Sequence, residues 1–138
     1  MIKFTLAYSP DLDSDSEIGM VGFNIEAENF RGNGNFMSTM TEVAALAHDL
    51  RDSAADEIRF ACGWDDREGD NAILLLAACK QSNADLEMTL ELADFHGVNH
   101  RLSSTFLVDQ RSAGEFIRGL ETIVRDGSGT AALIGKDL

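Results

Sequence analysis

The fold is decided by the stretch LEMTLEL at residues 86–92, in which apolar and polar side chains alternate without interruption. Successive side chains of a β-strand point to opposite faces, so Leu86, Met88 and Leu90 would share one face. This pattern predicts an antiparallel strand with one face on a core and the other toward water. The same alternation returns in residues 19–30, which predicts a second strand of this kind.

Further strand patterns lie on both sides of this stretch. We predict strands in five ranges that alternate or are apolar throughout: residues 2–8, 36–37, 58–64, 72–79 and 102–108. The sequence RGNGN at residues 31–35 predicts a turn or bulge before the short strand at 36–37. Residues 72–79, AILLLAAC, are apolar on both faces, which is typical of a central strand or of a strand at an interface.

Two helices are predicted from their start signals. Thr39 and Glu42 have the capping-box spacing, in which each side chain bonds the other residue's backbone N–H, and this helix would continue to about Asp52. Ser112 and Glu115 repeat the spacing ahead of a second helix. The buried stripe of that second helix is predicted to consist of Phe116, Leu120, Ile123 and Val124.

The order of strands, helix, strands and helix predicts an α+β domain. Because most turns are too short for parallel crossovers, we expect a mostly antiparallel sheet of six or seven strands with both helices packed on one face. Gly127 would cap the second helix, and the tail at 128–138 is expected to be flexible unless residues 131–134 dock as a short strand. With no repeat, linker or break in composition, residues 1–138 are predicted to form a single domain.

The net charge limits the partners of this chain. Lys and Arg together number 11 and Asp and Glu number 24, which gives a net charge of −13. Such a field repels phosphates and anionic lipid headgroups, so neither nucleic acid nor a membrane surface is an expected partner. It would attract a basic protein, although it can also serve only to keep the chain soluble. The sequence lacks a signal-peptide pattern and any long apolar span, so we expect a cytoplasmic protein.

Metal and cofactor patterns are weak. Residues 11–17 begin like a calcium loop, but Ser16 and Gly22 occupy the positions that require Gly and Glu. We therefore predict a solvated acidic loop there and leave metal binding by it open. His96 and His100 fall in a strand–turn–strand stretch with no further ligands in a recognisable pattern. No cofactor and no metal are predicted.

Catalytic patterns are equally weak. Cys62 and Cys79 lie in predicted strands, where buried thiols are usually inert. The alternative to a binding protein is a small hydrolase or ligand-binding domain that uses carboxylate and histidine side chains in a pocket. Asp94, His96 and His100 are the residues that such a site would use.

The acidic surface remains as a candidate binding site. Four carboxylates crowd one predicted loop and two line the exposed side of a predicted strand: Asp65, Asp66, Glu68 and Asp70 in the loop, and Glu87 and Glu91 in the strand. These residues are predicted to contact a cationic protein, and a merely solvated face is the alternative.

Several short features are shared with a known family. They are the strand pair that ends in Phe36, the helix at 39–52, the turn DFHG at 94–97, and the dipeptide Asp109-Gln110 that leads into the last helix. Over residues 19–126 these features resemble a small bacterial family of mostly uncharacterised domains, some of which are immunity proteins of wall-associated toxins. The family's aromatic residue ahead of the first helix is replaced here by Met37-Ser38. The resemblance implies a cytoplasmic binding protein with no chemistry of its own.

Together these patterns predict a non-enzymatic protein-binding domain, with an immunity-type inhibitor of a basic toxin as its most specific form. A homodimer is also expected, because a strand that is apolar on both faces leaves a patch that favours self-association. Exposed edge strands offer a second route to the same association.

Overall fold

The computed structural model describes residues 1–11, 18–29, 31–52, 56–65, 71–81, 85–94 and 100–136. Within these ranges the chain forms eight strands and two helices. In chain order they are β1 (Ile2–Pro10), β2 (Ile18–Glu26), β3 (Arg31–Thr39), α1 (Met40–Asp52), β4 (Glu57–Asp65), β5 (Asn71–Lys80), β6 (Leu86–Asp94), β7 (His100–Val108), α2 (Gln110–Asp126) and β8 (Gly129–Gly135).

The strands form two antiparallel sheets, which confirms the α+β class. The first sheet has the strand order β3-β2-β1-β8 and the second the order β4-β5-β6-β7. Eight strands in two sheets replace the single sheet of six or seven that the sequence predicted. A backbone bridge joins the two sheets between Leu107 and Lys136: the Leu107 N–H donates to the Lys136 carbonyl at 2.9 Å, and the Lys136 N–H donates to the Leu107 carbonyl at 2.8 Å.

One core lies against the inner faces of both sheets, because every strand with described side chains buries alternate residues. Phe4 stands near its centre and is fully buried. Its ring centroid lies 5.8 Å from that of Phe23 in β2 and 6.0 Å from that of Phe116 in α2. Both helices contribute to this same cluster, α1 through Leu46 and α2 through Leu120 among others. The sheets and the helices therefore bury their apolar sides together.

The Gly- and Asn-rich stretch is a strand, so the predicted turn or bulge at 31–35 is wrong. Every residue from Arg31 to Thr39 pairs with β2, beginning with Arg31 opposite Glu26. The positive-φ glycines among the described residues are Gly127 and Gly129, so neither glycine of this stretch adopts a turn conformation. Hydrogen bonds to β2 override the local turn preference, because strand formation depends more on context than on propensity.

The helix ends confirm part of the capping prediction and correct the rest. In α1 the Glu42 N–H donates to Thr39 Oγ1 at 3.2 Å, as predicted, and the Glu42 carboxylate accepts from the buried Ser38 hydroxyl at 2.5 Å. In α2 the N-cap is Asp109 instead of Ser112: its carboxylate accepts from the Ser112 N–H at 2.8 Å. Asp109 and Ser112 have the same three-residue spacing, and the extended backbone of Asp109 suits an N-cap.

The far end of α2 and the tail are well defined. Gly127 is the predicted C-cap, with φ of 82° and its N–H bonded to the Ile123 carbonyl at 2.8 Å. Val124, predicted to be buried, is 37% exposed because it lies off the stripe formed by the other apolar residues. Gly129–Gly135 forms β8 and pairs along β1, which confirms the predicted alternative of a docked strand.

The chain contains an internal structural repeat, which the sequence analysis missed. β1, β2, β3, α1 and β4 recur in the same order as β5, β6, β7, α2 and β8. The registers correspond as well: Val21 in β2 pairs with Phe36 in β3, and Met88 in β6 pairs with Phe106 in β7. Each half gives its last strand to the sheet of the other half, since β4 pairs with β5 and β8 with β1. The two halves are therefore interlocked.

Candidate functional site

Each sheet turns one face away from the core, and the two faces differ in charge. We call the outward residues of β1, β2, β3 and β8 the first outer face, and those of β4, β5, β6 and β7 the second outer face. The charged residues of the first are Lys3, Glu26 and Arg31. Among residues whose side chains are described, the charged residues of the second are Glu57, Arg59, Glu87 and Glu91. Counted over the residues whose side chains are described, the first face is slightly cationic and the second is anionic.

Three carboxylates are distributed over the second outer face. Glu57 pairs in register with Cys79, and Cys79 in turn with Glu87, so two strand spacings of about 10 Å separate the two carboxylate-bearing positions. Glu91 lies four residues further along β6, about 13 Å from Glu87. Arg59 Nε contacts Glu57 Oε1 at 3.2 Å and offsets part of this charge. The register of the sheet therefore fixes the spacing of the three backbone positions that carry these carboxylates.

The predicted contact residues fall in two places. Glu87 and Glu91 are half-buried on the second outer face. Asp65 ends β4 opposite Asn71, about 26 Å along the strand direction from the row that contains Glu87. The other three predicted contacts, Asp66, Glu68 and Asp70, lie outside the described residues.

Glu57 is an acidic residue of this face that the sequence analysis did not single out. The alternation that predicted a strand at 58–64 extends one residue earlier, and Glu57 has the same parity as the exposed Arg59 and Ala61. Extending the strand by that residue would have placed Glu57 on the outward face. Cys79 shares this face and is half-exposed, so the prediction of a buried thiol is wrong for it.

The two helices run antiparallel, and a cavity lies at each end of the pair. The larger, of about 510 Å³, lies between the start of α1 and the end of α2, and Tyr8, Met40 and Asp126 are among its lining residues. The other, of about 380 Å³, lies between the end of α1 and the start of α2, with Arg51 and Lys80 in its lining. The internal repeat relates the two cavities to each other.

Arg51, one of the two cations that line the smaller cavity, is paired with a carboxylate. Arg51 makes two hydrogen bonds to the Glu121 carboxylate, from Nη2 at 2.7 Å and from Nε at 3.1 Å. These bonds and the charge of Glu121 raise the pKa of the Arg51 guanidinium. Because its charge is neutralised in this way, Arg51 does not create a strong anion site.

The residues proposed for catalysis are only partly placed. Asp94 and His100 are register partners at the end of the β6–β7 pair, and His96 lies outside the described residues. Of the acidic string at 11–17, the described part includes Asp11 alone. Across the described ranges, no group of three or more His, Cys, Asp or Glu is positioned to hold a metal ion.

Comparison of the chain with protein-family models, with curated proteins and with solved structures found no match. In the part of the chain covered by the described ranges, no helix has both the length and the apolar character to cross a membrane. The function is therefore inferred from the faces, cavities and charges of this chain.

Proposed function

We propose that this protein is a non-enzymatic binding domain that docks a cationic protein on its second outer face. The observation that carries the proposal is the arrangement of Glu57, Glu87 and Glu91 on one sheet of a chain with net charge −13. Close charge pairs across protein interfaces couple by about 1.5–7 kcal/mol, and complementary fields speed encounter. Such pairing is favoured because the three residues lie in hydrogen-bonded strands, so no loop has to be ordered before their carboxylates meet a partner.

The partner class that fits this face best is a basic toxin such as a nuclease. Nuclease active sites are cationic because they hold phosphates, so an anionic face can occupy the same field. The further contacts that the sequence predicts, Asp65, Asp66, Glu68 and Asp70, belong to the same proposal. An inhibitor of this kind acts by occupation alone and needs no catalytic group. The family resemblance supports both the immunity role and a cytoplasmic location.

The test compares two variants with the same change of charge. Glu87→Lys/Glu91→Lys reverses two charges on the second outer face, and Asp52→Lys/Glu115→Lys reverses two exposed charges on the helices. Proteins captured from the native cell by the wild type are identified by mass spectrometry, and the binding of the purified partner is then measured with both variants. We expect a basic partner whose association rate falls steeply with salt and falls at least tenfold in the sheet variant.

Equal weakening by the helix variant would show only a non-specific attraction to net charge and would overturn the proposal. Binding that is indifferent to salt and to both variants would do the same. Circular dichroism of both variants confirms that the fold is retained.

One register observation favours a second candidate, a small hydrolase or ligand-binding domain. Asp94 and His100 occupy paired backbone positions on β6 and β7, and Asp and His are residue types used in general acid–base catalysis. This candidate predicts turnover of chromogenic esters or phosphate esters that is lost in His100→Gln and reduced in Asp94→Asn. Absence of turnover in the wild type, or turnover that survives both substitutions, would eliminate it.

A further inference from the structure

Some apolar side chains are exposed on the first outer face. Among the residues whose side chains are described, four large hydrophobic ones are more than a third exposed: Met1 at 79%, Met20 at 38%, Val124 at 37% and Ile134 at 38%. Met20 and Ile134 point outward from β2 and β8, and Met1 directly precedes β1. Ile134 pairs with Lys3 and Met20 pairs with Ser9, so these two side chains stand at opposite ends of the face, about 20 Å apart along the strands. The face is therefore partly apolar, without one continuous apolar patch.

This face also lacks the acidic surplus of the rest of the chain. Lys3, Glu26 and Arg31 stand in one row across the strands, beside Ile134. The other outward residues are uncharged, and they include Thr5, Ala7, Met20, Gly22, Asn24, Asn33, Asn35, Met37, Thr130 and Ala132. Two copies of a chain with net charge −13 repel each other over most of their surfaces. They can approach most closely through a face that carries no net negative charge.

The chemistry of the face suits contact with an identical face. Asn24 and Asn33 are register partners, both exposed, near the middle of the face. A carboxamide carries both donors and acceptors, so it can bond its own symmetry mate, whereas a carboxylate would repel its mate. The charged row contains both signs, so a two-fold axis can place Glu26 of one copy near a cation of the other.

We infer that the first outer face is a docking surface for a second copy of this chain, packed face to face about a two-fold axis. This inference goes beyond the proposed function because it uses the opposite sheet and leaves the second outer face accessible. Four strands of nine residues or fewer cover about 19 Å by 27 Å, on the order of 500 Å² per copy. The resulting total of roughly 1,000 Å² lies at the lower limit for a specific interface. The dimer is accordingly a weak one, with a dissociation constant in the micromolar range.

The experiment is sedimentation velocity of the full chain from about 1 to about 500 µM, a range that brackets such a constant. The test variant, Asn33→Asp/Ala132→Glu, adds two carboxylates to exposed positions of the first outer face. The control, Ser103→Asp/Ala61→Glu, adds the same two charges to exposed positions of the second outer face. In the internal repeat Asn33 corresponds to Ser103, and Ala132 corresponds to Ala61. The test and control variants therefore change equivalent strand positions, all four of which are exposed.

We expect the wild type and the control to dimerise with dissociation constants within about threefold of each other, and the test variant to dimerise at least tenfold more weakly. Salt should strengthen the dimer, since it screens repulsion between like-charged copies. Binding of a cationic partner responds to salt in the opposite direction, so failure of either proposal is recognised separately.

A monomer at every concentration in both low and high salt would overturn the inference. A dimer that the control weakens more than the test variant would also overturn it, because the interface would then be on the second sheet. A third measurement needs no variant: backbone amide NMR shifts that change with concentration should be confined to β1, β2, β3 and β8. Shifts that fall on β4 to β7 instead would contradict the face assigned here.

Discussion

The two halves of the chain are alike where they face the core and different where they face outward. Phe36 and Phe106 hold equivalent buried positions, and Leu50 and Leu120 are equivalent and buried in the two helices. On the outside, Asn33 in β3 corresponds to Ser103 in β7, and the charge of the face changes sign. A shared core fixes the size and polarity of inward residues, whereas outward residues are free to serve different contacts.

The largest expected effect tests the equivalence of the two cores. Phe106→Ala and Phe36→Ala should each lower the free energy of unfolding by about 3–5 kcal/mol, because each leaves a cavity where a ring was buried. Phe36 also stacks on Phe23, with centroids 5.1 Å apart, which keeps its loss in the same range. Urea denaturation measures both, and Val124→Ala serves as the exposed control. A difference of more than about 2 kcal/mol between the two would break the comparison.

The second prediction concerns how closely α2 approaches β8. A Cβ added at Gly119 would lie 2.8 Å from the Ala131 Cβ, so the helix and the strand touch through a glycine. Gly119→Ala should therefore destabilise the protein by about 1–3 kcal/mol despite its better helix propensity. Gly114→Ala in the same helix meets only the Arg118 guanidinium at 3.5 Å and should stabilise by about 0.5–1 kcal/mol. Thermal or urea denaturation measures the change in the free energy of unfolding for each variant. Changes of opposite sign would confirm the close approach, and changes of the same sign would contradict it.

The alternation of residues predicted most of the elements but not their assembly. Residues 86–92 predicted β6 correctly because one face of that strand is apolar and the other polar. The first part of β3, residues 31–35, was missed because Gly32 and Gly34 alternate there with Asn33 and Asn35, and both residue types favour turns until a neighbouring strand supplies hydrogen bonds. The two sheets depend on the pairing of β8 with β1 from opposite ends of the chain, and no local pattern encodes that. The repeat was missed because its halves share buried positions and few identical residues.

Like the fold, the candidate site could be predicted from the sequence only in part. Glu87 and Glu91 were placed on an exposed face from alternation alone. Their grouping with Glu57 was not predicted, because it depends on the register across β5. The distinction between the two outer faces could not be foreseen either, since it requires knowing that there are two sheets.

The third prediction uses the different N-caps of the two helices. Thr39 caps α1 with a hydroxyl and Asp109 caps α2 with a carboxylate. The hydrogen bond from the Ser112 backbone lowers the pKa of Asp109, and Lys136 adds a smaller lowering effect. A lowered pKa stabilises the fold above the unfolded value of about 3.9, and this stability is lost as the pH falls through the folded pKa.

Asp109→Asn keeps a cap but removes the titration. The wild type should therefore be more stable than Asp109→Asn near pH 6, and this advantage should disappear below about pH 3. Thr39→Ser, the matched change at the other cap, should leave the pH dependence of the wild type unaltered. Midpoints of urea denaturation, measured for the three proteins between about pH 3 and pH 6, test these expectations. A gap between wild type and Asp109→Asn that is constant with pH would show that the Asp109 charge contributes nothing.

The smallest expected effect lies where the two halves meet. Arg51 in α1 and Glu121 in α2 occupy equivalent positions of the repeat, and they contact each other, with Nη2 and Oε1 2.7 Å apart. If the two halves had the same charged residue at this position, two like charges would meet and repel each other. The halves instead carry charges of opposite sign here, which stabilises their contact. Each side chain is 46% exposed, so solvent screens the pair and the contribution is small.

Arg51→Glu and Glu121→Arg should each lower Tm by no more than about 3 °C, and the exchanged double variant should recover most of that loss. In about 1 M NaCl all four proteins should melt together. A double variant no more stable than the single ones would show that packing around Arg51, and not its charge, joins the two halves.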